Sequence, residues 1–167
     1  GIPETRVLLE SKGADFDLGQ DFREIEDGIF LTGEIPRTAS FESVDDQLRV
    51  KTKESFETDL FPDDQALVLA TGKGLVILLG CCHAGTVNTI SYVTSKLGHR
   101  AIYAVIGGTH WSFTREDDFS LSMKALKNMD ISVIGLSHCT GIAAAHKVMN
   151  EFGDNAFYAS VGCTIEI

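Results

Sequence analysis

Residues 75–83 read LVILLGCCH, an apolar run that gives way to small residues and ends in a histidine. The same arrangement returns in residues 101–110, AIYAVIGGTH, and in residues 131–138, ISVIGLSH. Short continuous apolar runs predict strands that are buried on both faces. A further apolar run, residues 67–70, precedes the first strand across the glycine turn 71–74, which predicts a β-hairpin.

A helix is predicted after each of these strands. The first has apolar residues at a three-to-four spacing and ends at Gly98; the second has a capping box in Thr114 and Asp117; the third runs from about residue 141 to 152 and ends at Gly153. The apolar positions are Val87, Ile90, Val93 and Leu97 in the first helix and Phe119, Met123 and Leu126 in the second. Residues 156–167 are predicted to form a last strand. Three strand-helix units indicate an α/β fold with parallel strands.

The three histidines that follow these strands are the candidate metal ligands. His110 lies 27 residues after His83, and His138 lies 28 residues after His110. Because parallel strands share one edge of the sheet at their carboxyl ends, the three imidazoles are predicted to converge there. Three protein ligands with an open water position are the usual catalytic zinc arrangement. A single histidine at a strand end is more often a structural hydrogen-bonding residue, but three in one register favour a metal. His99 and His146 lie outside the pattern, and we expect packing or solvent roles for them.

Three more residues are pocket candidates. Asp63 and Asp64 can serve a metal or a proton transfer, although Pro-Asp-Asp is also an ordinary turn sequence. Trp111, beside His110, can form a wall of a substrate pocket or pack in the core.

Cys82 supports a competing hypothesis, a cysteine hydrolase. Gly80 and Ala84 are small residues two before and two after it, between a strand and a helix, as a nucleophile elbow requires. His138 would complete the site, but Asp130 precedes its strand and is badly placed as the acid. This hypothesis also leaves two strand-end histidines unexplained, and an inert buried cysteine is the plain alternative.

Composition limits the classes of protein. The chain has 167 residues, a net charge of -10 and 44% apolar residues, which fits one globular domain and argues against nucleic acid as a partner. No apolar run is long enough for a membrane span, so no membrane partner is predicted. The four cysteines do not resemble a disulfide framework and indicate a reducing cytoplasm. The absence of an initiator Met suggests a fragment.

The acidic charge lies in the first part of the chain. Residues 1–65 hold 17 acidic and 7 basic side chains, whereas residues 66–167 hold 7 of each. We expect the first segment to supply a strand, residues 27–35, and an extended loop or lid, residues 37–62, to the same domain. The second segment is the βα core with the histidine motifs.

Five motifs carry a family resemblance: GEIPR at 33–37, DDQAL at 63–67, GCCHAG at 80–85 with Asn88 following, GGTH at 107–110 and HCTG at 138–141. Together they resemble the metallo-β-lactamase superfamily, in the branch similar to dihydropterin-methyl-ribofuranosylaminobenzene phosphate synthase. The resemblance implies the carboxyl-terminal half of an αββα sandwich, with a mixed sheet and flanking helices. It also implies a metal-dependent hydrolase or transferase that acts on a small molecule, phosphorylated or pterin-like.

By the resemblance, His83 and His138 match the two carboxyl-terminal ligand positions of the superfamily. His110 falls where many members carry a carboxylate that bridges two metals, and a neutral imidazole does not easily bridge. The implied cofactor is zinc, with manganese or iron as alternatives, as one or two ions in the full-length protein.

The superfamily's His-x-His-x-Asp-His cluster does not occur in these 167 residues. We therefore expect the second half of a longer protein, with weak metal binding and little turnover alone. Half a sandwich leaves an apolar sheet face, so we expect a homodimer or association with the missing amino-terminal half. A non-catalytic self-associating module is the alternative function.

Overall fold

A seven-stranded mixed sheet lies at the centre of the chain, which a computed structural model describes over residues 3–98 and 100–167. Its strands are, in spatial order, β1 (Arg23–Glu26), β2 (Ile29–Leu31), β5 (Ala66–Thr71), β6 (Gly74–Leu79), β7 (Ile102–Gly107), β8 (Ile131–Leu136) and β9 (Ala156–Tyr158). A separate sheet pairs β3 (Arg49–Lys51) with β4 (Phe56–Thr58). The α-helices are α1 (Arg6–Ser11), α2 (Thr86–Leu97), α3 (Glu116–Lys127) and α4 (Ile142–Phe152). His99 lies outside the described residues.

The strand directions confirm the predicted α/β class with a mixed sheet. β5 and β6 form the antiparallel hairpin that the glycine turn predicts. β6, β7, β8 and β9 are parallel, with a helix between each consecutive pair. The carboxyl ends of β6, β7 and β8 therefore lie at one edge of the sheet, as predicted. Among the described residues, no helix combines the length and apolar character that a membrane crossing needs.

One face of the sheet forms the core. Val68, Ile77, Val105, Ile134 and Ala156 stand side by side across five strands, and all are buried. The helices add buried side chains to the same cluster: Val87, Ile90 and Val93 of α2, Phe119, Met123 and Leu126 of α3, and Ala144, Ala145 and Val148 of α4. The predicted apolar faces of the first two helices are confirmed, because their three-to-four spacing puts these side chains on one side of each helix.

The other face of the sheet is also apolar, and one row of its side chains is only half-buried. Successive residues of a strand point to opposite faces, so the row next to the core row lies on this second face. Across five aligned strands this row contains Leu67, Leu78, Ile106, Gly135 and Phe157. Its four large side chains, called the apolar row, are each of intermediate exposure, and Gly135 adds no side chain between Ile106 and Phe157.

Two predicted strands are longer than those in the structure. Residues 27–35 contribute only β2, because the chain leaves the sheet after Leu31 and the Glu34 N–H donates to the Gln20 carbonyl at 2.9 Å. Residues 156–167 contribute only β9, because a turn follows in which the Cys163 N–H donates to the Ser160 carbonyl at 3.0 Å.

The predicted capping box of the second helix is wrong. α3 begins at Glu116 with Arg115 as its N-cap, one residue later than a Thr114 cap allows. The Thr114 hydroxyl instead donates to the His110 carbonyl at 3.5 Å. Acidic side chains in the first turn of α3, Glu116, Asp117 and Asp118, interact favourably with the positive end of the helix dipole.

Residues 37–62, predicted as an extended loop, contain the β3–β4 hairpin. Every residue of β3 is exposed, so backbone pairing rather than burial defines this hairpin and leaves no apolar pattern in the sequence. The first part of the segment, residues 37–45, is held against α2 by the buried side chain of Asn88. Its Oδ1 accepts N–H bonds from Thr38 at 2.9 Å and Ala39 at 2.8 Å, and its Nδ2 donates to the Ala84 carbonyl at 2.8 Å.

Replacing Asn88 by Ala is expected to destabilise the fold by about 2–4 kcal/mol, because it leaves these partly buried backbone groups without partners. Urea denaturation of Asn88→Ala measures the loss. Asn150→Ala, at an exposed position in α4, is the matched control and is expected to change stability by less than about 0.5 kcal/mol. Equal midpoints for the two variants would show that Asn88 does not hold the loop.

Candidate metal centre

The turns that follow β6, β7 and β8 share an unusual backbone conformation. Among the described residues, four that are not glycine have positive φ: Phe61 (49°), Cys82 (57°), His110 (57°) and His138 (49°). Left-handed backbone is unfavourable for most side chains and concentrates at functional sites. Three of the four lie in the strand-end turns that carry the histidines, and the ring of the fourth, Phe61, stacks on His83.

His83 and His110 are brought together at this edge of the sheet. Their ring centroids are 4.4 Å apart, with the ring planes at 49°. The Phe61 ring stacks on His83 at 3.9 Å, and the Phe113 ring stacks on His110 at 4.6 Å. Burial, and then the neighbouring His110, lower the pKa of His83 below its usual value. The neutral imidazole that a metal ion requires is therefore favoured.

His110 has a buried ring nitrogen without a partner. Its Nδ1 is inaccessible to solvent and has no hydrogen-bond partner among the described residues. Its Nε2 lies 3.5 Å from Oδ2 of Asp45, a carboxylate that can fix the tautomer in which Nε2 carries the proton. In that tautomer the lone pair of Nδ1 is free, and the ring that carries it lies beside the His83 ring. Buried polar atoms almost always find partners, so this atom fits the role of a metal ligand.

His138 lies apart from that pair, in a group with two thiols. The His138 ring and the sulfur atoms of Cys81 and Cys139 offer ligand atoms that all lie within 4.8 Å of one another. No group of that spacing in the described part of the chain unites His83, His110 and His138. The three histidines thus share one edge of the sheet but form a pair and a separate thiol-containing group. Burial raises the pKa of Cys139 to about 11.

The two aspartates have different surroundings. The Asp64 carboxylate accepts the Ala84 N–H at 2.9 Å, so it holds the turn that carries His83. Burial raises the pKa of Asp64, against the lowering effects of the Ala84 N–H and of His83. Asp63 is exposed and lines a different cavity with residues 17–20.

Trp111 packs in the core and also borders a cavity. Its ring is 5% exposed and packs edge-on against Phe119 at 5.6 Å, within the core. Trp111 also lines the cavity that contains His83 and His110.

The geometry gives the cysteine hydrolase no support. Cys82 does have the positive φ of a tight strand-to-helix turn, but its thiol is buried and lies 3.4 Å from the Thr89 hydroxyl. Burial raises the pKa of Cys82 to about 12, so the thiol stays protonated at neutral pH and is a poor nucleophile.

Glu42 is a functional residue that the sequence pattern does not reveal. Its buried carboxylate accepts the N–H groups of Val87 at 2.8 Å and Asn88 at 2.7 Å, and so caps the start of α2. A Cβ atom at position 85 would clash with this carboxylate, so the glycine there leaves the space that the Glu42 side chain occupies. Burial raises the pKa of Glu42 to about 7, against the lowering effect of those N–H groups.

Arg37 is a second residue whose place in the site the sequence does not indicate, although it belongs to the motif GEIPR at 33–37. It lines the same cavity as His83 and His110. Its Nη2 donates to the Leu60 carbonyl at 3.2 Å, and its buried Nη1 has no hydrogen-bond partner among the described residues. Burial lowers the pKa of Arg37, while Asp64 and Glu42 raise it, and the guanidinium remains a cation at neutral pH.

Two curated proteins are similar to this chain in sequence, whereas no family model matches it. The 7,8-dihydropterin-6-methyl-4-(beta-D-ribofuranosyl)-aminobenzene-5'-phosphate synthase of Methanocaldococcus jannaschii is 31% identical over 150 residues, which cover 88% of this chain and 51% of the synthase. An uncharacterized protein of the same organism is 29% identical, and the match covers 100% of this chain and 60% of that protein.

A solved structure shows the same fold. The crystal structure of a metal-dependent hydrolase of the β-lactamase superfamily matches with a TM-score of 0.73 and 28% sequence identity, over 88% of this chain and 57% of the hydrolase. The chain belongs to the metallo-β-lactamase superfamily. Within it, the chain falls in the branch similar to the dihydropterin synthase, as the five motifs predict. The chain spans about half to three fifths of the length of the curated relatives that it matches.

Glu42 is expected to make the stability of the fold depend on pH. Its pKa is about 7 in the folded chain against 4.5 for an ordinary glutamate, so between these values the folded chain holds a proton that the unfolded chain has lost. The free energy of unfolding therefore falls as the pH rises through this interval, by up to about 3 kcal/mol at about 1.4 kcal/mol per pKa unit.

Urea denaturation at several values between about pH 5 and pH 8 tests this expectation, and Glu42→Gln is expected to flatten the slope. Glu34→Gln, at an exposed position, is the control and should keep the wild-type slope. Identical slopes for wild type and Glu42→Gln would contradict the assignment of this proton to Glu42.

Proposed function

We propose that this chain is the carboxyl-terminal part of a metal-dependent hydrolase or transferase that acts at a phosphorus or carbon centre. The observation that carries the proposal is the unpartnered, buried Nδ1 of His110 beside the His83 ring. Membership of the superfamily, which includes a metal-dependent hydrolase of the same fold, supports it.

The proposed ligands are His83, His110 and His138, shared between one or two ions. Zinc suits imidazole ligands, with manganese or iron as alternatives. A bound divalent ion would lower the pKa of a coordinated water to about 7 and polarise an oxygen of the substrate.

Other residues of the chain would support this site. Asp45 would hold the His110 ring through Nε2, and Asp64 would fix the turn that carries His83. Arg37 would bind an anionic oxygen of the substrate, because its buried Nη1 faces no protein acceptor among the described residues. We propose a small-molecule substrate that is phosphorylated or pterin-like, by likeness to the synthase.

This chain alone is proposed to turn over little or no substrate. The His-x-His-x-Asp-His cluster implied by the family resemblance does not occur in the 167 residues, so ligands for the ions would have to come from elsewhere. Association with another polypeptide that supplies this cluster would complete the site. A reducing cytoplasm, in which the thiols stay free, is the proposed compartment.

Equilibrium dialysis against zinc or manganese tests the metal site. We expect His83→Ala and His110→Ala each to weaken binding at the pair by more than about 100-fold, because even outer partners of metal ligands typically contribute 10–100-fold. His146→Ala is the control, because this exposed histidine of α4 hydrogen-bonds to Asn150 and to no other residue in the described part of the chain. Stoichiometric binding that survives replacement of His83, His110 and His138 together by Ala would end the proposal.

A non-catalytic self-associating module is the second candidate function. The half-buried apolar row on the second sheet face favours it, because the free energy falls when a partner covers such a face and removes it from water. The proposed partner is a second copy of the chain or a polypeptide that supplies the amino-terminal ligand cluster.

Sedimentation velocity at micromolar concentration measures this association. We expect a dimer for the wild type and a monomer for Leu78→Glu, which puts a charge into the row. Leu121→Glu, at an exposed position of α3, is the control and should remain a dimer. A stable wild-type monomer would contradict self-association, and circular dichroism verifies that the variants remain folded.

A further inference from the structure

Two cysteines and a histidine from different strand ends meet outside the cavity of His83 and His110. Cys81 follows β6, whereas His138 and Cys139 follow β8. Their two sulfur atoms and a ring nitrogen of His138 all lie within 4.8 Å of one another. The cysteines are half-buried and the histidine is exposed, so an ion in solution can reach the group.

The position of the Cys139 sulfur is fixed by backbone groups. Its thiol donates to the Cys81 carbonyl at 3.4 Å. A Cβ at Gly108 would lie 2.7 Å from this sulfur, so the glycine leaves the space that the thiol occupies. The Cys139 carbonyl also accepts from the Ser112 hydroxyl at 2.7 Å. The sulfur is therefore positioned by the turns that follow β6 and β7.

We propose that Cys81, His138 and Cys139 form a second metal site, which takes a soft divalent ion such as zinc. Ligand atoms around a tetrahedral zinc ion are roughly 3.4–3.8 Å apart, so a group whose ligand atoms lie within 4.8 Å of one another closes onto an ion with a contraction of at most about 1.4 Å. Binding displaces the thiol protons and leaves two thiolates and one imidazole as ligands. Three protein ligands leave a fourth position open to water or substrate.

This site goes beyond the proposed function, in which the two cysteines have no part. It shares only His138 with the proposed ligands, and its sulfur atoms give it a spectroscopic signature that a histidine site lacks. The failure of one proposal therefore leaves the other open to its own test.

Cobalt(II) binding to the reduced full chain tests the inference. Thiolate ligands give bound cobalt an intense sulfur-to-metal charge-transfer band in the near-ultraviolet, whereas imidazole ligands alone do not. We expect this band for the wild type, its loss in the Cys81→Ser, Cys139→Ser double variant, and affinity weakened by more than about 100-fold in His138→Ala. The exposed Cys163 supplies the control, and Cys163→Ser should keep the band.

The double variant His83→Ala, His110→Ala should also keep the charge-transfer band, which separates this site from the histidine pair. A band that is absent from the reduced wild type, or that persists without Cys81 and Cys139, would overturn the inference.

A second measurement needs no variant. Iodoacetamide labelling of the unmodified chain, mapped by mass spectrometry, should show that zinc protects Cys81 and Cys139 by more than about tenfold and leaves Cys163 reactive. Equal labelling with and without zinc would also overturn the inference.

Discussion

The parallel pairing of β6, β7 and β8 is the constraint on which the rest of the structure depends. It ends three buried strands at one edge of the sheet, and each of the three turns there carries a histidine. Cys82, His110 and His138 adopt left-handed backbone in these turns. That conformation costs free energy at each residue and is kept only where the surrounding packing determines it. The core under the sheet therefore sets the geometry of the candidate site.

The acidic first part of the chain also builds the site. Residues 37–45 are fastened to α2 through Asn88 and Glu42, and this brings Arg37 and Asp45 to the cavity of His83 and His110. Glu42 is buried at the amino end of a helix, where its two backbone N–H bonds and the helix dipole offset part of the desolvation of its carboxylate.

The βα core could be predicted from sequence because its signals are local. Apolar runs, glycine helix ends and the three-to-four spacing of α2 act within one element, and the structure confirms them. The apposition of His83 and His110 could be anticipated from their register at neighbouring strand ends. The separation of His138 from that pair could not, because it depends on how each turn directs its side chain.

Contacts between distant segments left no local pattern. Glu42 lies 45 residues before the helix that it caps, and Asp45 lies 65 residues before His110. The β3–β4 hairpin is exposed and has no apolar alternation. Thr114 has the residue type of a cap but hydrogen-bonds to the His110 carbonyl instead.

The decisive measurement is anomalous diffraction at the zinc edge from crystals grown with zinc. The account predicts a peak about 2.0–2.1 Å from the Nδ1 atom of His110 and in contact with the ring of His83. Anomalous peaks confined to surface carboxylates, with none at this pair, would contradict it.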